Sequence, residues 1–196
     1  MSKLGIDPWK ELGIYIEIWV EKDSIAEFLK QLAYKWLIVI APSRGYTSYA
    51  YVWEGIKRIR DYGYDNNVIL YLGDFDPSGL DIENHLKDAI KKFEVNCEVK
   101  RVVIKEDDIG KLPSSPLKKS DPRLRKKYRD YEKKYGDKVW EIDALDPSDL
   151  YARLENELSK LLDIKKWKRI IERNKYIKKR ASKILDEIIK NSSYSN

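Results

Sequence analysis

Cysteine and histidine are almost absent: Cys97 and His85 stand alone among 196 residues. A single cysteine excludes an internal disulfide and any cysteine-based zinc site, and it suits a reducing compartment. A single histidine excludes a histidine-rich metal centre. Any metal on this chain therefore sits on oxygen ligands, which selects Mg²⁺ or Mn²⁺. Gln31 and Thr47 are the only residues of their kinds, while Lys, Glu, Ile and Tyr abound. That skew resembles hyperthermophile proteins, which favour ion-pair networks and avoid thermolabile amides. No apolar run approaches the length of a membrane span and no signal peptide opens the chain, so no membrane partner is expected and a soluble, cytoplasmic protein is.

Hydrophobic residues make up 42% of the chain and charged residues 37%, a globular composition with enough length for one core and an appendage. The formal net charge is +6, which suits a polyanionic partner without demanding one. Four apolar segments read as strands: Ile14–Val20, Trp36–Ala41, Val68–Leu72 and Glu98–Ile104. Helical spacing fills the intervals Glu21–Lys35, Tyr49–Tyr62 and Leu80–Phe93. Strands alternating with helices of this length predict an open, mainly parallel α/β sheet with right-handed crossovers. Beyond it, Asp107–Arg123 reads as an extended loop and Leu124–Tyr135 as a short charged helix. A brief strand, Lys138–Ile142, precedes a helix capped at Ser148, and a long basic helix runs from Asp163 to about Lys190.

In "VILYLGDFDPSGLDI" a buried strand runs straight into two aspartates, Asp74 and Asp76. Crowded carboxylates repel one another and are costly to desolvate, so a chain that gathers them has a cation to place between them. Residues two apart on an extended segment point the same way. Glu21 follows the first strand, so all three carboxylates gather at one edge of the sheet, where open α/β folds bind ligands. Glu21, Asp74 and Asp76 offer the hard oxygens that Mg²⁺ or Mn²⁺ takes, in a pattern suited to phosphodiester chemistry. Lys22 and Arg44 are placed to counter the charge of a scissile phosphate. Ser78 and Gly79, where the next helix starts, offer backbone N–H groups to a phosphate. Glu141 and Asp143 complete a second metal position if their strand lies beside the others. The plain alternatives are turn and cap chemistry for the aspartates, a helix start for Glu21, and a surface loop for Arg44.

"EIWVEKDSIAEFL", "IAPSRGYTSYA" and "LYLGDFDPSGLDI" together resemble the Toprim domain, shared by topoisomerases, bacterial-type primases and certain nucleases. The "EKD" and "DFDPSG" forms look closest to the A subunit of type IIB topoisomerases. The later segment resembles stand-alone Toprim-like proteins of phages and other mobile elements. The resemblance covers Tyr15 to Leu162 and implies a Mg²⁺ site on Glu21, Asp74 and Asp76, with Glu21 able to act as general acid or base. It maps the family's glycine loop onto Gly45, and it makes Lys118, Asp121 and Arg123 part of the mobile-element pattern. The division it implies is a Toprim core over 1–105, a completing segment over 106–162 and a basic helical tail over 163–196. No winged-helix domain with a nucleophilic tyrosine is expected to precede the first strand.

In the tail, apolar residues form a stripe fit to pack on the body or on another subunit. Cations including Lys178, Lys179 and Arg180 can track a phosphate backbone, or simply be solvated. The expected function is a Mg²⁺-dependent enzyme on nucleic-acid phosphodiesters, a DNA nuclease or nicking enzyme. The alternatives are a non-catalytic DNA-binding module, or a subunit of a topoisomerase-like cutting complex with a winged-helix partner. A homodimer is compatible with either.

Overall fold

The computed structural model describes residues 5–42, 49–119, 122 and 125–193. The chain forms two units, residues 14–157 and residues 1–13 with 158–196.

The main sheet of the larger unit is built from β1 (Ile14–Val20), β2 (Val39–Pro42), β3 (Asn66–Leu72) and β4 (Glu98–Val103). They form one sheet in the order β2-β1-β3-β4, and every pairing is parallel. Flanking helices are α2 (Asp23–Phe28), α3 (Lys30–Trp36), α4 (Tyr49–Tyr62) and α5 (Pro77–Lys92), followed later by α6 (Arg125–Tyr135). Tyr15 through Val20 and Asn67 through Leu72 are all buried. Side chains alternate between faces along a strand, so both faces of β1 and β3 are covered, as a parallel sheet between helices requires. The open α/β architecture expected from the alternation of periods is present.

Three local differences have physical causes. The helix expected over Glu21–Lys35 breaks at Leu29, whose backbone sits near φ −83°, ψ 0°. Trp36 closes α3 instead of opening a strand. Leu37 takes a left-handed conformation (φ 51°), and Ile38 N–H returns to Ala33 O at 2.9 Å. That closure normally falls to glycine, so no sequence signal marks it. Further on, only Lys138–Val139 (β6) is strand, paired antiparallel with β5 (Ser115–Pro116) rather than with the main sheet. Trp140 leaves that ladder to bridge Phe75, with Phe75 N–H donating to Trp140 O at 2.7 Å and Trp140 N–H to Phe75 O at 3.2 Å. Residues Ile142–Ala144 then form a 3₁₀ turn. The following helix, α7 (Pro147–Leu161), is capped by Asp146, not by Ser148. Asp146 accepts from Ser148 N–H at 2.7 Å.

The smaller unit joins α1 (Pro8–Leu12) to α8 (Ile164–Ser193). Asp7 caps α1 by accepting from Trp9 N–H at 2.9 Å, and Gly13 closes it at φ 67°. Trp9 and Trp167 pack with centroids 5.1 Å apart. Asn174 exchanges two bonds with the Ile6 backbone, each 2.7 Å.

Candidate metal and phosphodiester site

The order β2-β1-β3-β4 reverses direction between β1 and β3, the point where open α/β sheets form a crevice beyond their carboxyl ends. The register pairs Val20 with Leu72, and Glu21 N–H continues the ladder to Leu72 O at 3.0 Å. Glu21 therefore leaves β1 beside Gly73 and Asp74 as these leave β3. Its Oε2 accepts from Asp74 N–H at 3.0 Å. Burial, reinforced by the charge of Asp74 and then Asp76, pushes the Glu21 carboxyl up to about 7. Burial also raises Asp76, with Asp74 adding to it against the pull of the Gly79 N–H.

Asp76 is the N-cap of α5, and its Oδ1 accepts from Gly79 N–H at 2.6 Å. The Gly79 N–H is thus spent on Asp76, and Ser78 N–H serves the same carboxylate. Neither is open to a phosphate in this arrangement. Gly79 matters for a different reason. A Cβ there would lie 2.3 Å from Asp74 O and 3.2 Å from Glu21 Oε2. Only a residue without a side chain lets α5 start directly against both carboxylate-bearing turns.

Asp74 is engaged on both oxygens. Oδ1 accepts from Ile142 N–H at 2.8 Å, and Oδ2 lies 3.2 Å from Lys22 Nζ. Lys22 Nζ also meets Asp143 Oδ2 at 2.6 Å and Glu141 Oε2 at 3.9 Å. Burial opposes the ammonium charge, yet Asp143 and Asp74 outweigh it and raise Lys22 above the ordinary lysine value. Glu141 and Asp143 are thus brought to the site by the Phe75–Trp140 bridge, and they hold Lys22.

Two side chains that sequence reasoning missed brace this edge. Arg101 on β4 reaches under the β3 exit: Nη1 donates to Gly73 O at 2.9 Å and Asp74 O at 3.2 Å, Nη2 to Gly79 O at 3.3 Å. Its Nε pairs with Glu83 Oε2 at 2.5 Å. The one available signal was an arginine inside the otherwise apolar end of "EVKRVVI". Tyr131 on α6 donates to Phe75 O at 2.9 Å. Lys118 is exposed after β5, while Lys178, Lys179 and Arg180 are exposed on α8 in the other unit. Arg44, Gly45, Asp121 and Arg123 lie outside the described residues.

The donor chemistry fits a hard divalent cation: three carboxylates whose mutual repulsion such an ion relieves. The present arrangement does not gather them fully. Among the described residues, no three acidic, histidine or cysteine side chains stand close enough to hold a metal. Asp76 is turned back onto α5, and Asp74 is held by Ile142 and Lys22. Among the described residues, too, no helix is long and apolar enough to cross a membrane. No protein-family model, curated protein or solved structure matches the chain.

Proposed function

We propose that this chain is a Toprim-type protein acting on nucleic-acid phosphodiesters with Mg²⁺ or Mn²⁺, as a DNA nuclease or nicking enzyme. The observation that carries the reading is the meeting of Glu21 and Asp74 at the β1/β3 switch point, locked by the 3.0 Å bond from Asp74 N–H, with Asp76 two residues on. Glu21, Asp74 and Asp76 would hold the ion. A divalent cation there supplies Lewis-acid stabilisation of the phosphodiester oxygens.

The chain's own residues supply the remainder. In the metal-free site burial and the neighbouring aspartates lift the Glu21 carboxyl to about 7, and a divalent cation held there would keep it ionised as a ligand. Lys22 fills the position between Asp74, Glu141 and Asp143, so the site is built for one divalent ion beside a fixed ammonium. Arg101 holds the Gly73–Asp74 carbonyls in place and keeps the loop from yielding to repulsion among the carboxylates.

A second reading is a non-catalytic DNA-binding module, or a subunit of a topoisomerase-like complex. It is favoured by the saturation of Asp74 in this arrangement. Cleavage of labelled supercoiled and single-stranded DNA with Mg²⁺ or Mn²⁺ separates the two. Cleavage lost in Asp74→Asn/Asp76→Asn supports the nuclease, and DNA binding without cleavage supports the second reading.

A further inference from the structure

Charge is divided unevenly between the two units. Residues 1–13 and 158–196 hold 14 Lys and Arg against 6 Asp and Glu, a net +8. Residues 14–157 hold 25 against 27, a net −2, so the smaller unit carries more than the whole +6 of the chain. A field of one sign confined to one unit attracts a polyanion to that unit.

Within that unit a pocket of about 300 Å³ gathers part of this charge, lined by Ile6 and Glu11 and, from α8, by Lys166, Arg169, Ile170 and Arg173. Intervals of three and four put Lys166, Arg169 and Arg173 on one face of the helix. Lys166 Nζ donates to Glu11 O, which fixes its ammonium on the wall between α8 and α1. Among the described residues, neither Arg169 nor Arg173 meets an acidic partner. Glu11 is the one carboxylate among the lining residues, so the pocket keeps two positive charges in excess. Like charges four apart weaken a helix, and an anion seated between them reverses the sign.

The chemistry of the wall selects the anion. Guanidinium forks match the tetrahedral oxygens of phosphate, two at a time. Ile170 is buried and Ile6 half-buried, so no apolar side chain of the pocket stands beyond the cations to enter a membrane. We propose that Lys166, Arg169 and Arg173 seat a backbone phosphate of a bound nucleic-acid strand. The assignment rests on the reading of a nucleic-acid substrate, and it names where the strand is held rather than where it is cut.

Fluorescence anisotropy of the full chain with labelled single-stranded and duplex DNA tests it, in EDTA so that neither metal nor cleavage enters. Arg169→Gln/Arg173→Gln should weaken binding about tenfold at about 100 mM salt, and on duplex DNA lower the slope of log Kd against log salt by about 1.8. Both arginines are exposed, so the fold is kept. Lys126→Gln/Arg129→Gln removes the same charge from exposed positions of α6 and should change Kd less than about twofold. A wild-type chain that binds no DNA, or equal weakening by the two pairs, overturns the pocket. Binding of inorganic phosphate by calorimetry without binding of DNA would assign it to a small phosphorylated ligand, and binding of phosphatidylserine vesicles alone would assign it to a membrane. Either result overturns the backbone assignment. DNA held through the arginine pair but never cleaved in Mn²⁺ would leave the pocket standing and sink the nuclease. Cleavage with an affinity indifferent to the pair would do the reverse.

Discussion

Glu17 and Glu21 lie four residues apart, one inside β1 and the other just past its end, and the fold treats them in opposite ways. Glu17 is fully buried and surrounded by donors. Arg58 reaches it twice, through Nε at 2.9 Å and Nη2 at 3.0 Å. Tyr15 Oη and Trp19 Nε1 each donate at 2.8 Å. Glu21 receives Asp74 N–H and faces two more carboxylates, and its carboxyl is lifted to about 7 by burial first and by Asp74 second. A carboxylate that serves the fold is neutralised where it stands. One left under-compensated in a crevice is the kind of group that marks a candidate functional site.

The comparison is broken most severely at Glu17. Glu17→Ala removes a charge at the centre of the sheet and leaves the Tyr15 hydroxyl and the Trp19 N–H without their acceptor. The expected loss is about 3 kcal/mol, moderated because Arg58 can swing toward solvent. Chemical denaturation at neutral pH measures it, and a loss below about 1 kcal/mol would mean that Glu17 is not a structural hub.

Gly79→Ala should come next. Its Cβ would meet the Asp74 carbonyl at 2.3 Å, which is backbone and cannot rotate away. Alanine is the better helix former by about 1 kcal/mol, so the clash must exceed that gain for the variant to be destabilised. We expect a net loss of about 2 kcal/mol together with weaker Mn²⁺ binding, as α5 moves off the Asp74 turn. A more stable variant with unchanged Mn²⁺ affinity would show that the close approach is dispensable.

Glu21→Gln should act in the opposite direction to Glu17→Ala. A carboxyl at about 7 in the folded state titrates above its unfolded value. The fold bears no penalty for it at pH below 4, and stability is lost as pH rises toward and through 7. Replacing it with the neutral amide therefore stabilises the metal-free protein by about 2 kcal/mol at pH 8, and by almost nothing at pH 4. Thermal unfolding at the two pH values reads this directly. Millimolar Mg²⁺ should raise the Tm of the wild type and leave the variant unmoved.

The sheet was legible because β1 and β3 are apolar runs bounded by turn residues, and the helix expected over roughly Tyr49–Tyr62 is present as α4. The acidic edge was legible in part: strand ends fix where the following residues emerge, which placed Glu21 beside Asp74, while Asp76 turns back to cap α5. Leu37 was not legible, since a leucine in the left-handed region carries no compositional mark. The pairing of Lys22 with Asp143 was hidden for a different reason. It joins residues 121 apart through a bridge at Phe75 and Trp140 that no local pattern announces. The hinge between α2 and α3 fell in the same class, because the apolar spacing continues across it.

Lys22 gives the smallest and most discriminating contrast. Its ammonium lies 2.6 Å from Asp143 and 3.2 Å from Asp74, so these carboxylates already have a cation of their own. Lys22→Met keeps the aliphatic stem and removes the charge. Lys22 is partly exposed, so the metal-free protein should lose less than about 1 kcal/mol. The change should appear in stoichiometry. Mn²⁺ titration followed by electron paramagnetic resonance should find one ion per chain in the wild type. The variant should take two, because Asp74, Glu141 and Asp143 are freed to hold the second. Two ions in the wild type would mean that Lys22 gives way to metal. One ion in both would leave Glu141 and Asp143 as anchors for Lys22 alone, and the imbalance at Glu21 would then be the whole of the metal site.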